Sequence, residues 1–228
     1  MTLDRAVLRD ETVRLGFRRD PLVGEHADRR HHGVNIAIAW PLPNEALGAY
    51  REFERRVSAL HPGLYVYPFA TTHVTLLTAV NFRSYPEPGD AQVHDIDRAA
   101  EKLARFVAEN TNDLQPFSLE TDSPVLASAA AFVPMANPTG EIARIRERAL
   151  AFCWAQGGVL AHASAPETVH STVLRFRDPP PDAIAFANAF DEIAANIDFG
   201  RLPIDRILVT LETKPYMREG RLARSIEL

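Results

Sequence analysis

His73-Val74-Thr75-Leu76-Leu77 and His170-Ser171-Thr172-Val173-Leu174 are two short β-branched runs that open on the same pattern, His-x-Thr followed by an apolar residue. In an extended chain alternate side chains share a face. His73 and Thr75 therefore point one way, and Val74 and Leu76 the other. His170 and Thr172 repeat that arrangement, with Ser171 and Val173 opposite. Each run offers one imidazole and one hydroxyl from a rigid strand. The two histidines lie 97 residues apart. A third match, His162-Ala163-Ser164-Ala165, follows Gly157-Gly158 in an Ala/Ser-rich stretch with poor strand character and reads as coincidence.

The segments around both runs come in the same order. Before the first run, Val34 to Trp40 reads as a strand stopped by Pro41-Leu42-Pro43. Asn44 then caps a helix with Leu47, Tyr50, Phe53, Val57 and Leu60 on one face, ended by His61-Pro62-Gly63. Leu64 to Val80 reads as one strand-like stretch. A helix presenting Ile96, Ala99, Ala100, Leu103, Phe106 and Val107 follows, then a short strand at Phe117–Glu120. In the second half Val125–Val133 is strand-like. Thr139 caps a helix showing Ile142, Ile145, Ala149 and Phe152, closed by Gly157-Gly158. After the second run, Pro179-Pro180-Pro181-Asp182 starts a helix with Phe186, Phe190, Ile193 and Ile197 inward. Ile204–Leu211 reads as the last clear strand, and Leu222–Leu228 as an edge. Each half is strand, helix, strand, helix, strand, which predicts an α+β chain built by internal duplication. Residues 1–32 read as a polar surface extension with a short helix near Asp4–Leu15. Residues 33–228 read as one unit, with halves of about 33–121 and 122–228.

Composition bounds the remaining classes. The 228 residues carry 25 Lys+Arg against 30 Asp+Glu, a net charge of −5, which argues against a protein that coats extended nucleic acid. The single cysteine, Cys153, excludes a disulfide scaffold and a Cys-based zinc site. The first residues show no charged-then-apolar leader pattern, and no apolar run of about 18 residues is present. The expectation is a cytoplasmic, monomeric protein without membrane contact.

The residue types set out a chemistry. Two imidazoles facing one gap suit in-line attack on a phosphodiester: a neutral one takes a proton from the attacking oxygen, and a protonated one gives a proton to the leaving oxygen. The two threonine hydroxyls suit donation to non-bridging oxygens, where charge builds up. The scheme needs no metal and no cofactor.

The pair His73-Val74-Thr75-Leu76 and His170-Ser171-Thr172-Val173 resembles the two signature motifs of the 2H phosphoesterase superfamily. That superfamily includes RNA 2′,3′-cyclic phosphodiesterases, also called 2′-5′ RNA ligases. The resemblance covers roughly residues 33–215. It implies a bilobal fold, two mostly antiparallel sheets flanked by helices and facing across a central cleft. It also implies an acid–base pair in His73 and His170, phosphate contacts from Thr75 and Thr172, and, where ligase-like members often carry arginine, a further one from Arg175. The substrate class implied is a small nucleotide or an RNA end. Ser171 departs from the pattern, since that position usually holds an apolar anchor. It leaves a second reading open, a nucleotide- or phosphate-binding module without catalysis. A third is a phosphoesterase acting on a phosphorylated metabolite unrelated to RNA.

Other residues carry two readings each. Tyr65, Tyr67 and Phe69 alternate on one face leading toward His73, suited to stacking a nucleobase or to packing in the core. Trp40 and Phe132 share that ambiguity. His31-His32 point to opposite faces of an extended chain and have no third ligand nearby in sequence, so they are not read as a metal site. Arg18, Arg19, Arg29 and Arg30 read as a solvated extension, and Cys153 as buried and inert.

Overall fold

The computed structural model describes residues 4–40 and 44–228. The expected stop at Pro41-Leu42-Pro43 lies outside the described residues, as does the side chain of Asn44. The element order is α1 (Arg5–Leu15), β1 (Gly33–Ala39), α2 (Asn44–Ser58), β2 (Leu64–Val66), β3 (His73–Val80), α3 (Asp90–Glu109), β4 (Phe117–Thr121), β5 (Val125–Ala127), β6 (Ala130–Ala136), α4 (Glu141–Gln156), β7 (His170–Phe176), α5 (Ala183–Ala194), β8 (Arg201–Ile204), β9 (Arg206–Glu212) and β10 (Gly220–Glu227). The fold is α+β and bilobal. Among the described residues two antiparallel sheets form, one ordered β10-β9-β1-β3 and the other β2-β7-β6-β4-β8 with β5 paired to β6.

Helix faces follow the sequence spacing. Tyr50, Phe53 and Val57 of α2 are fully buried, as are Ile96, Ala100 and Leu103 of α3. Each large apolar side chain so buried contributes about 1.5–3 kcal/mol. β1 is a central strand, and its residues Gly33 to Ile38 are buried on both faces, which accounts for the apolar and small residues there; the one polar residue, Asn35, donates to Glu212. Asp182 caps α5 by accepting from the Ala185 amide at 2.9 Å. At α4 the sequence expectation fails. Gly140 occupies the cap position, the Asn137 side chain accepts from the Ile142 amide at 2.9 Å, and the Thr139 hydroxyl donates to the Glu141 carboxylate instead.

Three expected strands are each divided. Pro68 and a turn at Phe69–Thr71 split Leu64–Val80 into β2 and β3. A tight turn at Ser128-Ala129 folds Val125–Val133 into the β5–β6 hairpin. A break at Asp205 separates β8 from β9. The fragments then enter different sheets. β2 pairs with β7 while β3 pairs with β1, and β8 pairs with β4 while β9 pairs with β1. Sheet membership therefore does not follow a division at residue 121. The first sheet joins β1 and β3 to the last two strands, and the second takes β2 and β4 from the first half. Helices cross over as well: α4 packs on β3, and α2 packs on β2 and α5.

From Asp4 to Val23 the amino-terminal segment docks on the second sheet and α5 rather than standing off in solvent. Asp4 caps α1, which packs on β5 and α5. Phe17 lies against Phe176 and Phe186, with ring centroids 4.7 and 5.2 Å away. The Asp20 amide donates to the Phe176 carbonyl at 2.7 Å, and Val23 is buried. Arg18, Arg19, Arg29 and Arg30 remain exposed on this docked segment. His31 and His32 are buried; the His32 Nδ1 donates to the His31 carbonyl at 2.9 Å. Among the described residues no three His, Cys, Asp or Glu side chains gather as a metal site, and no helix is long and apolar enough to cross a membrane.

Candidate active site

β3 and β7 lie against each other where the two sheets meet, which brings the His-x-Thr runs together. The two imidazoles are held the same way. The Nδ1 of His73 donates to the Thr71 carbonyl at 2.8 Å, and the Nδ1 of His170 to the Thr168 carbonyl at 3.3 Å. A carbonyl only accepts, so each ring carries its proton on Nδ1 when neutral and leaves Nε2 as the basic nitrogen. In both runs the anchor sits two residues before the histidine, on the stretch just ahead of the strand. The Thr168 hydroxyl oxygen adds a contact of 3.1 Å to the His170 Nδ1.

Both imidazoles are biased toward the neutral form. Burial pushes His73 below its ordinary value; the Thr71 carbonyl opposes this, and His170 and Arg175 reinforce it by charge. Burial also lowers His170, opposed by the Thr168 carbonyl and reinforced by Arg146 and Arg175.

The strands share a second device. Alternation alone would place Arg175 opposite His170 and Thr172. Yet residues 73, 75 and 78 of β3 and residues 170, 172 and 175 of β7 are the half-exposed ones, with the residues between them buried. The cause is a bulge. Leu76 is an extra residue between the pairs Ile36–Leu77 and Ala37–Thr75, and Val173 an extra one between Ala131–Leu174 and Phe132–Thr172. Each bulge directly follows its threonine and turns the next polar residue back to the histidine's face. Thr78 is thus the counterpart of Arg175. Ser171 occupies the buried slot that Val74 fills in β3, and its hydroxyl has no hydrogen-bond partner.

Arg175 is gripped on three sides. Its Nε donates to the Tyr67 hydroxyl at 3.0 Å, its Nη1 to Asp20 Oδ2 at 2.9 Å, and its guanidinium carbon lies 3.8 Å from the centre of the Tyr216 ring. The Tyr216 hydroxyl donates to the same Asp20 oxygen at 2.6 Å. Tyr216 and Met217 are both left-handed, at φ 61° and 55°. Glu212 holds them: its Oε1 accepts from the Met217 amide at 2.6 Å and its Oε2 from Asn35 Nδ2 at 3.1 Å. Burial pushes the Glu212 carboxyl up to about 7, against those donors.

Of the expected stacking residues, Tyr67 and Trp40 are buried and Phe69 is half-buried. Tyr67 is fully buried; its hydroxyl serves Arg175, and its carbonyl accepts from the Tyr50 hydroxyl at 2.7 Å. Trp40 is buried edge-on among Tyr50, Phe69 and Phe199, and Phe69 is spent on the same cluster. Phe132 also borders the site, half-exposed with its ring centroid 5.2 Å from that of His170. It lines a cavity of about 540 Å³ together with Pro134, Met135, Thr168, Arg5 and three carboxylates, Glu120, Asp122 and Glu167. Sequence reasoning missed Asp20, Tyr216, Glu212 and Arg146. The readable signal for the bulges was the consecutive apolar pairs Leu76-Leu77 and Val173-Leu174, where alternation breaks.

No protein-family model matches the sequence, and no curated protein matches it. Solved structures share the fold. TT0787 of Thermus thermophilus aligns with a TM-score of 0.56 at 18% identity, over 86% of this chain and 97% of that one. LigT of E. coli in its apo form aligns at 0.53 and 12% identity, over 88% and 99%. A protein described as a phosphoesterase aligns at 0.50 and 12% identity, over 87% and 98%. The chain has the bilobal fold of these proteins.

Proposed function

We propose that this chain is a 2H-type phosphoesterase that cleaves a cyclic phosphodiester, a 2′,3′-cyclic nucleotide or RNA end, or acts on a 2′-5′ linkage, with His73 and His170 as its acid–base pair. The observation that carries this reading is the equivalence of the two histidines. Each has its Nδ1 on the carbonyl two residues back, and they sit on adjoining strands close enough for one charge to act on the other. The shared fold with LigT and a phosphoesterase supports it. One neutral Nε2 removes the proton from the attacking oxygen while the other histidine, protonated, hands its proton to the leaving oxygen. Thr75 and Thr172 donate to the non-bridging oxygens, and Arg175 supplies a fixed positive charge on the same face. All of these groups belong to the chain, so the scheme needs neither metal nor cofactor. A bound phosphodiester anion favours the imidazolium that burial and Arg175 otherwise suppress, which couples the acid to substrate.

The substrate is short. The carboxylates around the cavity beside His170 and the net charge of −5 both disfavour a continuing polyanionic strand. Ser171 gives no support to a binding module without catalysis: its slot is buried and Thr172 keeps the half-exposed phase of Thr75.

The test is hydrolysis of the four nucleoside 2′,3′-cyclic phosphates by the wild type and by His73→Ala and His170→Ala. Each variant is expected to lose about 10²–10⁴ in turnover. EDTA is expected to leave the wild-type rate unchanged. Wild-type rates from both variants would overturn the assignment.

A further inference from the structure

Arg146 reaches the site from behind, on α4. Its Nε donates to the Leu76 carbonyl at 2.9 Å, and its Nη2 lies 3.5 Å from the Thr75 carbonyl and 3.4 Å from the Thr168 carbonyl. Thr75 and Leu76 form the first motif and its bulge. The Thr168 carbonyl is the one that orients the His170 ring. One guanidinium therefore grips the backbone of both histidine-bearing segments. It does so half-buried, and among the described residues no carboxylate lies within ion-pair distance of it; Glu141 pairs with Arg144 and Asp113 with Arg148, and Glu147, next to Arg146 on α4, is exposed. A tie of purely structural purpose can be made by an amide. A half-buried guanidinium without a counter-ion costs desolvation energy and keeps its charge.

We infer that Arg146 is a positioning residue for this site: it fixes the separation of the two histidine-bearing strands and sets an uncompensated positive charge behind His170. This rests on the reading of the two histidines given above. The charged groups that act on His170 are Arg146 from α4 and Arg175 from its own strand, and His170 in turn acts on His73 across on β3. Glu120, Asp122, Glu167 and Arg5 line the adjoining cavity. Both Arg146 and Arg175 favour neutral His170.

The two roles separate in two variants of the full chain, followed by NMR titration of the histidine ring protons and by steady-state kinetics on 2′,3′-cyclic nucleotides. Arg146→Met removes the charge and the tie. The His170 midpoint is expected to rise by about half a pH unit or more, that of His73 by less. Arg146→Lys keeps the charge, but one ammonium lacks the planar fork that spans these carbonyls. Its His170 midpoint is expected to stay at the wild-type value. Both variants are expected to lose about tenfold or more in kcat with little change in KM, since misplacing the reacting groups by about 1 Å costs up to about 10² in rate. An unmoved His170 midpoint in Arg146→Met, or a wild-type kcat in Arg146→Lys, overturns the inference. If Arg146→Met does not fold, Arg146→Lys decides by its kcat. If the wild type turns over no cyclic nucleotide, the reading of the site falls instead, and the Arg146→Met titration, which needs no substrate, still decides the role of Arg146.

Discussion

Replacing Asp20 with alanine tests whether the amino-terminal segment is part of the site's architecture. Asp20 is 6% exposed, and its carboxylate meets three donors: the Leu22 amide at 2.9 Å, Arg175 Nη1 at 2.9 Å and the Tyr216 hydroxyl at 2.6 Å. The side chains of Asp20 and Arg175 are only 7% and 15% exposed, so water screens the pair little. Removing one member of such a pair strands the other and costs about 3–5 kcal/mol. At roughly 2–4 °C per kcal/mol for a chain of this size, the melting temperature should fall by about 6–20 °C. Asp20→Asn keeps an acceptor for Leu22 but loses the charge, and about half that loss is expected. The assay is urea unfolding followed by circular dichroism and tryptophan fluorescence, with a thermal melt alongside. Combining Asp20→Asn with Arg175→Met should recover part of the loss, because no buried cation is then left alone. An Asp20→Ala variant within about 1 kcal/mol of wild type would show that the docked segment contributes little.

Three further outcomes are expected. Ser171→Ala removes a fully buried hydroxyl without a partner, so it should leave stability unchanged or raise it by about 1 kcal/mol, read by thermal melting; a loss above that size refutes the account. Glu212 has its folded-state pKa raised from 4.5 to about 7, so its contribution is complete below pH 4.5 and is lost as pH rises toward 7. The stability difference between wild type and Glu212→Gln should therefore shrink by up to about 3 kcal/mol between pH 4.5 and 7.5 in urea titrations, whereas a pH-independent difference would show that Glu212 titrates normally. Since both histidines are lowered from 6.5, kcat/KM on a cyclic nucleotide should be bell-shaped with its maximum below pH 6.5; a maximum above pH 7.5 contradicts the burial argument.

The motif strands and helix faces were legible because period and burial coincide there. His73, Thr75, His170 and Thr172 lie on alternating strands, and α2, α3 and α5 bury the faces their spacing predicts. Arg175 was found by resemblance, but the bulge at Val173 that turns it toward His170 was not, because two successive apolar residues also read as an ordinary buried strand. Tyr67 and Trp40 failed as stacking residues for a related reason. An aromatic on a strand looks the same whether it faces a ligand or a neighbouring helix, and only the packing of Tyr50 and Phe199 decides it. Asp20 sits in a polar, charge-rich segment, and nothing local distinguishes it from the solvated arginines beside it. Its partner lies 155 residues away. Sheet membership was hidden by the same distance: the alternation of β9 is satisfied in either sheet, and pairing with β1 is a long-range choice.

That long-range choice bears on how the chain comes together. β1 is flanked by β3 on one side and β9 on the other, and Asn35 of β1 meets Glu212 of β9 across 177 residues of sequence. While the chain is being synthesised, β1 can pair with β3 early, but its other edge stays bare until β9, with Glu212 lying 177 residues beyond Asn35, has emerged. Closing so distant a contact is slow relative to local pairing, and a bare apolar edge invites pairing between nascent chains in the interval. The strand that completes the sheet of β1 and β3 thus arrives after both His-x-Thr runs, so a growing chain can hold both histidines and still lack the framework that sets them against each other.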